Sequence, residues 1–381
     1  MIARIAAVVW SLVLVVSLVI ASYLLGARSA GQTGGAPEEL RPVVQLYERV
    51  RGGAVDPPDD DELVRGAVEG MLGVLDDPYA AFYDDEEFAG LNEVLEGEIS
   101  GVGVLIEETP DGIEVLGVLD GTPAQEEGIE SGERIVGVDG RDVRGLPIDA
   151  VANLVKGEAG TDVTLGLEGG SHGARELTLT RAVIHVPNVE SELLDGSVGH
   201  VRLIQFARGA ARDTRTAVED LLDQGATGIV LDLRDNPGGL LEEAVDVAGL
   251  FIEDGTVVSV QGRGGRVEDI EATGEAFADL PLVLLVNEWS ASASEIVAGA
   301  IQDFDRAPVL GVTTFGKGTV QTVHDLAGGA GAKFTTAEYL TPSGDSIEGV
   351  GVVPDKTIED PEEQLAVARQ ELQALVAAAP G

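Results

Sequence analysis

Cysteine is absent from the 381 residues, which removes disulfides, thiolate metal sites and a cysteine nucleophile at once. Histidine is almost as scarce. His172, His185, His200 and His324 are scattered without the spacing of metal ligands, so no metal and no cofactor are expected. Positive charge is the third shortage: 24 Lys and Arg stand against 67 Asp and Glu, for a net charge of -43 and a pI near 4.1. Affinity for nucleic acid comes largely from cations that neutralise phosphates, so a nucleic-acid partner is excluded. The acidity describes a strongly solvated, self-repelling surface. Among the cations only four are lysines, Lys156, Lys317, Lys333 and Lys356.

What is present is enough chain for two or three domains, each able to bury a core. Ile5 to Leu25 is an unbroken run of apolar and small residues that, as a helix, would reach roughly 31 Å, the thickness of a bilayer core. It is too long for an ordinary signal-peptide core, Arg4 precedes it, and no clean small-x-small cleavage site follows. An uncleaved signal anchor is favoured over a cleaved signal. Either way the remainder lies outside the cytoplasm, periplasmic or cell-surface, and with the short tether after it the segment occupies residues 1–35.

Residues 36–95 have helical apolar spacing, from Leu40 to Val50 and again from Leu63 to Leu75. From Ile99 the period changes to short strands broken by Asp111-Gly112, Gly121-Thr-Pro123 and Asp139-Gly140, giving a compact β-rich module over 96–183. Beyond His200, apolar strands (201–206, 228–233, 257–260, 282–286) alternate with helical segments (210–223, 240–251), as in an α/β core with a buried sheet over 184–360. An amphipathic helix closes the chain over 361–381. The fold class is therefore multidomain α/β.

Two segments carry chemistry. Ser290-Ala-Ser-Ala-Ser294 follows an apolar strand pattern and precedes an apolar helix pattern, a turn at which nucleophiles are commonly displayed. Lys317, 25 positions after the middle serine, lies between two glycines. A serine needs a base, and no histidine is suitably placed. Lysine can serve only if its pKa falls by roughly 3.4 units, about 4.6 kcal/mol, which requires burial away from water and carboxylates. Gln321 stands where its carbonyl could orient that lysine. Asn236-Pro-Gly-Gly239 ends a strand, and Gly238 can bring its N–H to a substrate carbonyl as an oxyanion donor. Gly169-Gly-Ser-His-Gly173 fits a nucleophile-elbow pattern but joins two strands, which makes Ser171 a hairpin tip.

Together Leu75-Asp-Asp-Pro-Tyr79, Ile99 to Val104, Gly121-Thr-Pro-Ala124, Gly132 to Gly140, Leu231 to Gly239, Ser290 to Glu295, Gly316 to Gln321, Thr341-Pro-Ser-Gly344 and Gly351 to Asp355 resemble the C-terminal processing peptidases, or tail-specific proteases. The resemblance covers nearly the whole chain after the anchor. It implies a peptidase core of ClpP/crotonase-like fold, with Ser292 as nucleophile, Lys317 as general base, Gln321 supporting the lysine, and the N–H groups of Gly238 and Ala293 as oxyanion donors. It makes the β-rich module a PDZ domain in which Gly101, Val102, Gly103 and Val104 form the carboxylate-binding loop. Implied partners are protein or peptide substrates with free C-termini, the membrane through the N-terminal anchor, and a second copy through the helical region or the final helix. Asp345, Glu348 and Lys156 depart from residues common in the family. A non-catalytic PDZ scaffold or adaptor for protein C-termini is the competing reading. The joint presence of serine, lysine, glutamine and N-P-G-G argues against it.

Overall fold

The computed structural model describes residues 37–378 except Asp111, so the anchor expected at 5–25 lies outside the described residues. Among the described residues no helix is long and apolar enough to cross a membrane. The chain divides into two compact units after Leu75.

The first unit contains the helices Arg41–Gly53 and Asp60–Gly73. Asp59 caps the second, its Oδ1 accepting from Glu62 N at 2.8 Å, and three acidic residues in the first turn complement the helix dipole. Neither helix has a buried residue, and Val43, Val44 and Leu46 are exposed.

The second unit begins at Asp76 and includes the helix Asp85–Glu96. Its β-rich part is an antiparallel sheet of Val104–Thr109, Gly112–Val118, Glu133–Val138, Asp162–Gly169 and Arg175–Thr180, in that spatial order, with the short strand Arg141–Asp142 beside the third. Alternating residues of these strands, Val115, Val163 and Leu165 among them, pack with Val151 of the helix Ile148–Val155 into a separate core. The strand Val104–Thr109 lies at the sheet edge, next to the loop 101–104.

The larger core is a sheet ordered 189–194, 198–203, 228–232, 282–286, 309–311 and 356–357, parallel after its first pair. Its central strands are apolar along their whole length because both faces are covered. Ile229, Leu231, Leu282, Leu284 and Val286 pack in one core with Ala210–Asp223, Leu241–Gly249 and Ala293–Asp303, while Val230, Val283 and Leu285 pack with Ala368 and Leu372 of Pro361–Ala378. Every residue from Ala293 to Ile301 is buried.

A second antiparallel sheet was not anticipated from sequence, and it takes the strand expected at 257–260 out of the parallel sheet, pairing it antiparallel on both sides. Gly331–Leu340 pairs with Thr319–Asp325, with Thr256–Gly262 and with Ala81–Tyr83, and Arg266–Glu271 extends the edge. This sheet carries Gln321 and adjoins the lysine segment.

At the C-terminal end of the strand 228–232 of the parallel sheet, fully buried Asp232 accepts from Arg234 Nη2 at 2.6 Å and Nε at 2.9 Å, with His200 Nε2 of the neighbouring strand at 3.1 Å. Burial alone would raise its pKa; the hydrogen bonds from His200 and Arg234 outweigh it and hold the carboxyl at about 2. The stability from this depression is complete above the unfolded value and is lost as pH falls from about 4 through about 2, an effect of about 2 kcal/mol. We expect Asp232→Ala to lower unfolding free energy by about 3–5 kcal/mol, because Arg234 loses its carboxylate. Urea denaturation at neutral pH checks this.

Candidate active site

The apolar strand Leu282–Val286 fixes the entry to the serine turn, and the buried helix Ala293–Asp303 fixes its exit. Ser290 Oγ donates to Leu233 O at 2.8 Å, and Ser294 Oγ donates to Asn236 O at 2.9 Å. Both serines are fully buried and structural. Ser292 is different: it sits at the helix N-cap with φ 55° and ψ −111°, a backbone conformation costly for any residue with a Cβ. Burial pushes the phenol of Tyr339 up to about 12, with the Ser292 side chain acting in the opposite direction.

The strained turn is stabilised by Glu295. This fully buried carboxylate accepts from Ser292 N (2.8 Å), Lys317 N (2.8 Å), Gly316 N (2.7 Å) and Thr314 Oγ1 (2.5 Å). One side chain therefore ties the serine turn to the lysine segment. Sequence reading missed it, although Ser292-x-x-Glu295 has the spacing of a capping box. The glycines around Lys317 have a steric reason: a Cβ on Gly318 would lie 2.4 Å from Glu348 N, and one on Gly316 would lie 3.1 Å from both Val350 N and Gly351 N.

Lys317 is half-buried, and burial pulls its ammonium below the ordinary 10.5, with Lys333 adding to the effect. Glu348 and Glu295 act in the opposite direction without cancelling it. The requirement that carboxylates be remote is therefore relaxed: both are hydrogen-bonded by backbone N–H groups, Glu348 Oε2 by Gly318 N at 2.8 Å. Lys317 Nζ lies 4.8 Å from the centroid of the Tyr79 ring.

Gln321 is on the adjacent strand, where its Nε2 donates to Thr319 Oγ1 at 2.9 Å and Thr335 Oγ1 at 3.2 Å; among the described residues its carbonyl does not accept from Lys317, so the expected contact is not made. Gly238 packs on the serine turn so closely that a Cβ would lie 2.7 Å from Ala291 O and 2.9 Å from Ala293 N. Its own N–H is occupied, donating to Asn236 Oδ1 at 2.9 Å. Asn236, buried and also missed from sequence, anchors this turn by donating Nδ2 to Leu203 O at 2.7 Å. Ser171 lies exposed between Asp162–Gly169 and Arg175–Thr180, with Oγ donating to Glu130.

In the β-rich part, Gly101 to Val104 line an apolar groove of about 190 Å³ with Ile106, Leu119, Val155 and Lys156. Among the described residues, neither Val102 N nor Gly103 N donates a hydrogen bond. Gly103 has φ +86°, and a Cβ there would lie 2.3 Å from Thr122 side-chain atoms. We expect Gly103→Ala to weaken binding of a peptide with a free carboxylate at least about tenfold, as read by fluorescence anisotropy.

Residues 197–358 match the model of peptidase family S41, residues 114–169 a PDZ domain, and residues 23–87 the N-terminal domain of the activating protease CtpB. The chain is 41% identical over 302 residues to a carboxyl-terminal-processing protease of Synechocystis sp., covering 77% of this chain and 71% of the relative. It is 35% identical over 342 residues to the carboxy-terminal processing protease CtpA of Bacillus subtilis, covering 90% and 73%. The solved photosystem II D1 C-terminal processing protease superposes with a TM-score of 0.52 at 32% identity, over 85% of this chain and 94% of that one. These similarities, with the PDZ module and the serine turn, establish that the chain is a serine-type peptidase belonging to the carboxyl-terminal-processing proteases of family S41.

Proposed function

We propose that the protein cleaves polypeptides with exposed C-terminal tails, using the module at 96–183 to hold the tail and the core at 184–360 to hydrolyse the chain upstream. The tail carboxylate is received by the N–H groups of the Gly101–Val104 loop, and its last residues add as a strand to the edge at Val104–Thr109. Neutral Lys317 removes the Ser292 proton, Ser292 Oγ attacks the scissile carbonyl, and the amine leaves with a proton returned by Lys317. Water then releases the acyl group by the same proton transfers in reverse. Ala293 N–H supports the oxyanion; Gly238 joins it when its N–H turns from Asn236 Oδ1 to the substrate. Gln321 holds the strand beside the lysine.

The observation that carries this reading is the state of the three serines. Ser290 and Ser294 have hydroxyls committed to backbone carbonyls, whereas Ser292 occupies the strained turn joined through Glu295 to the lysine segment. The same reading gives the chain a membrane anchor at Ile5 to Leu25, an extracytoplasmic peptidase, and self-association through the helical region. The experiment that tests tail recognition is digestion of one unfolded reporter ending in an apolar residue, as free carboxylate and as C-terminal amide. Faster cleavage of the carboxylate form is expected, and equal rates would remove the tail from the account.

A further inference from the structure

Tyr79 closes the segment Leu75-Asp-Asp-Pro-Tyr79, which the proposed chemistry leaves without a task. Both flanks of this tyrosine are fixed to the strand Gly331–Leu340. Before it, Asp77 Oδ1 accepts from Tyr79 N at 2.9 Å while Asp77 Oδ2 accepts from Thr335 N at 2.7 Å. After it, Ala81–Tyr83 pairs antiparallel with Gly331–Lys333. Burial would raise the Asp77 pKa, but the N–H donors of Thr335 and Tyr79 and the charge of Lys333 bring it down, so the clamp stays ionised. The clamped ring then lies 4.8 Å from Lys317 Nζ, an atom with no hydrogen-bond or ion-pair partner among the described residues.

We infer that Tyr79 is a positioning residue for Lys317, a rigid ring face that holds the lysine head group beside the serine turn. This rests on the Ser292/Lys317 reading. The choice of a ring has a chemical reason. A carboxylate at that distance would also hold the ammonium, but it would favour the charged form strongly and suppress the base. An aromatic face attracts the cation weakly, excludes water from one side and leaves the neutral amine accessible. The other charged groups acting on Lys317 are Lys333, which disfavours its protonation, and Glu348 and Glu295, which favour it.

The test is the pH dependence of kcat/KM for wild type, Tyr79→Leu, Tyr79→Phe and Lys317→Met. It is paired with the pH dependence of Lys317 carbamylation by cyanate, read by peptide mass spectrometry. Without the ring the ammonium is less favoured, so Tyr79→Leu should lower the Lys317 midpoint by about half to one pH unit in both measurements. It should also reduce the plateau kcat about tenfold through loss of placement. Tyr79→Phe keeps the ring face and should restore the wild-type midpoint. A wild-type midpoint in the leucine variant, or a phenylalanine variant that matches the leucine one, would overturn the inference. Near-wild-type cleavage by Lys317→Met would instead remove the dyad itself. Carbamylation reports on Lys317 without turnover, so the two failures are distinguishable.

Discussion

Lys317→Met is expected to lower kcat/KM by about 10²- to 10⁴-fold, the range that a positioned general base contributes, while the protein remains folded. Methionine fills similar volume without an amine. Because burial depresses the Lys317 pKa in the folded protein, the charged form opposes folding below the unfolded value of 10.5. Stability from this residue therefore rises with pH between its lowered folded pKa and 10.5. The methionine variant should match or exceed wild type in thermal stability at neutral pH. In wild type, kcat/KM should climb with pH through a midpoint below 10.5, and the remaining activity of the variant should lose that limb. A variant both inactive and unfolded would make Lys317 a structural residue, and circular dichroism melts beside the kinetics separate the cases.

Glu295→Ala is the second large effect. The substitution removes the acceptor for three backbone N–H groups and the Thr314 hydroxyl at a fully buried side chain. Each stranded donor costs about 1–3 kcal/mol, so a loss of at least about 3 kcal/mol is expected. The kinetic loss should be as large. Ser292 N, Gly316 N and Lys317 N are fixed to one carboxylate, and misplacement of reacting groups by about 1 Å costs on the order of 10²-fold. Glu295→Gln should fall between alanine and wild type, since one oxygen remains to accept while the amide NH₂ faces the donors on its other side. Urea unfolding and kcat for the three proteins measure both consequences. Wild-type stability and turnover in the alanine variant would show that the serine and lysine segments are held together by something else.

Those two residues differ in how legible they were. Lys317 announced itself through scarcity and its flanking glycines, and the family resemblance selected Ser292 from three serines before the hydrogen bonds of Ser290 and Ser294 gave a physical reason. Glu295 was visible only as capping-box spacing. That pattern predicts a local bond to Ser292 N, but not the contacts to Thr314, Gly316 and Lys317 that chain folding brings to it. The α/β core was readable because Leu282–Val286 and Gly228–Asp232 are buried on both faces and so carry unbroken apolar runs. The sheet built on Gly331–Leu340 was not. Thr319–Asp325 has no buried residue and Gly331–Leu340 is largely half-buried, so neither shows clear alternation. One of its partners, Ala81–Tyr83, is distant in the chain, and propensity holds no information on such pairing. Tyr79 was visible only as the end of a motif and Tyr339 not at all, for the same reason: both reach the site through that sheet. Asn236 was read as part of a glycine turn rather than as the side chain that occupies Gly238 N–H.

Cleavage through Ser292 requires an acyl-enzyme on that residue. Rapid-quench mass spectrometry during cleavage of a tailed substrate tests it most directly. A transient acyl adduct is expected on the peptide that contains Ser292, mapped by fragmentation to that residue and absent in Ser292→Ala together with all cleavage. An adduct on Ser290 or Ser294, or continued cleavage by Ser292→Ala, would contradict it.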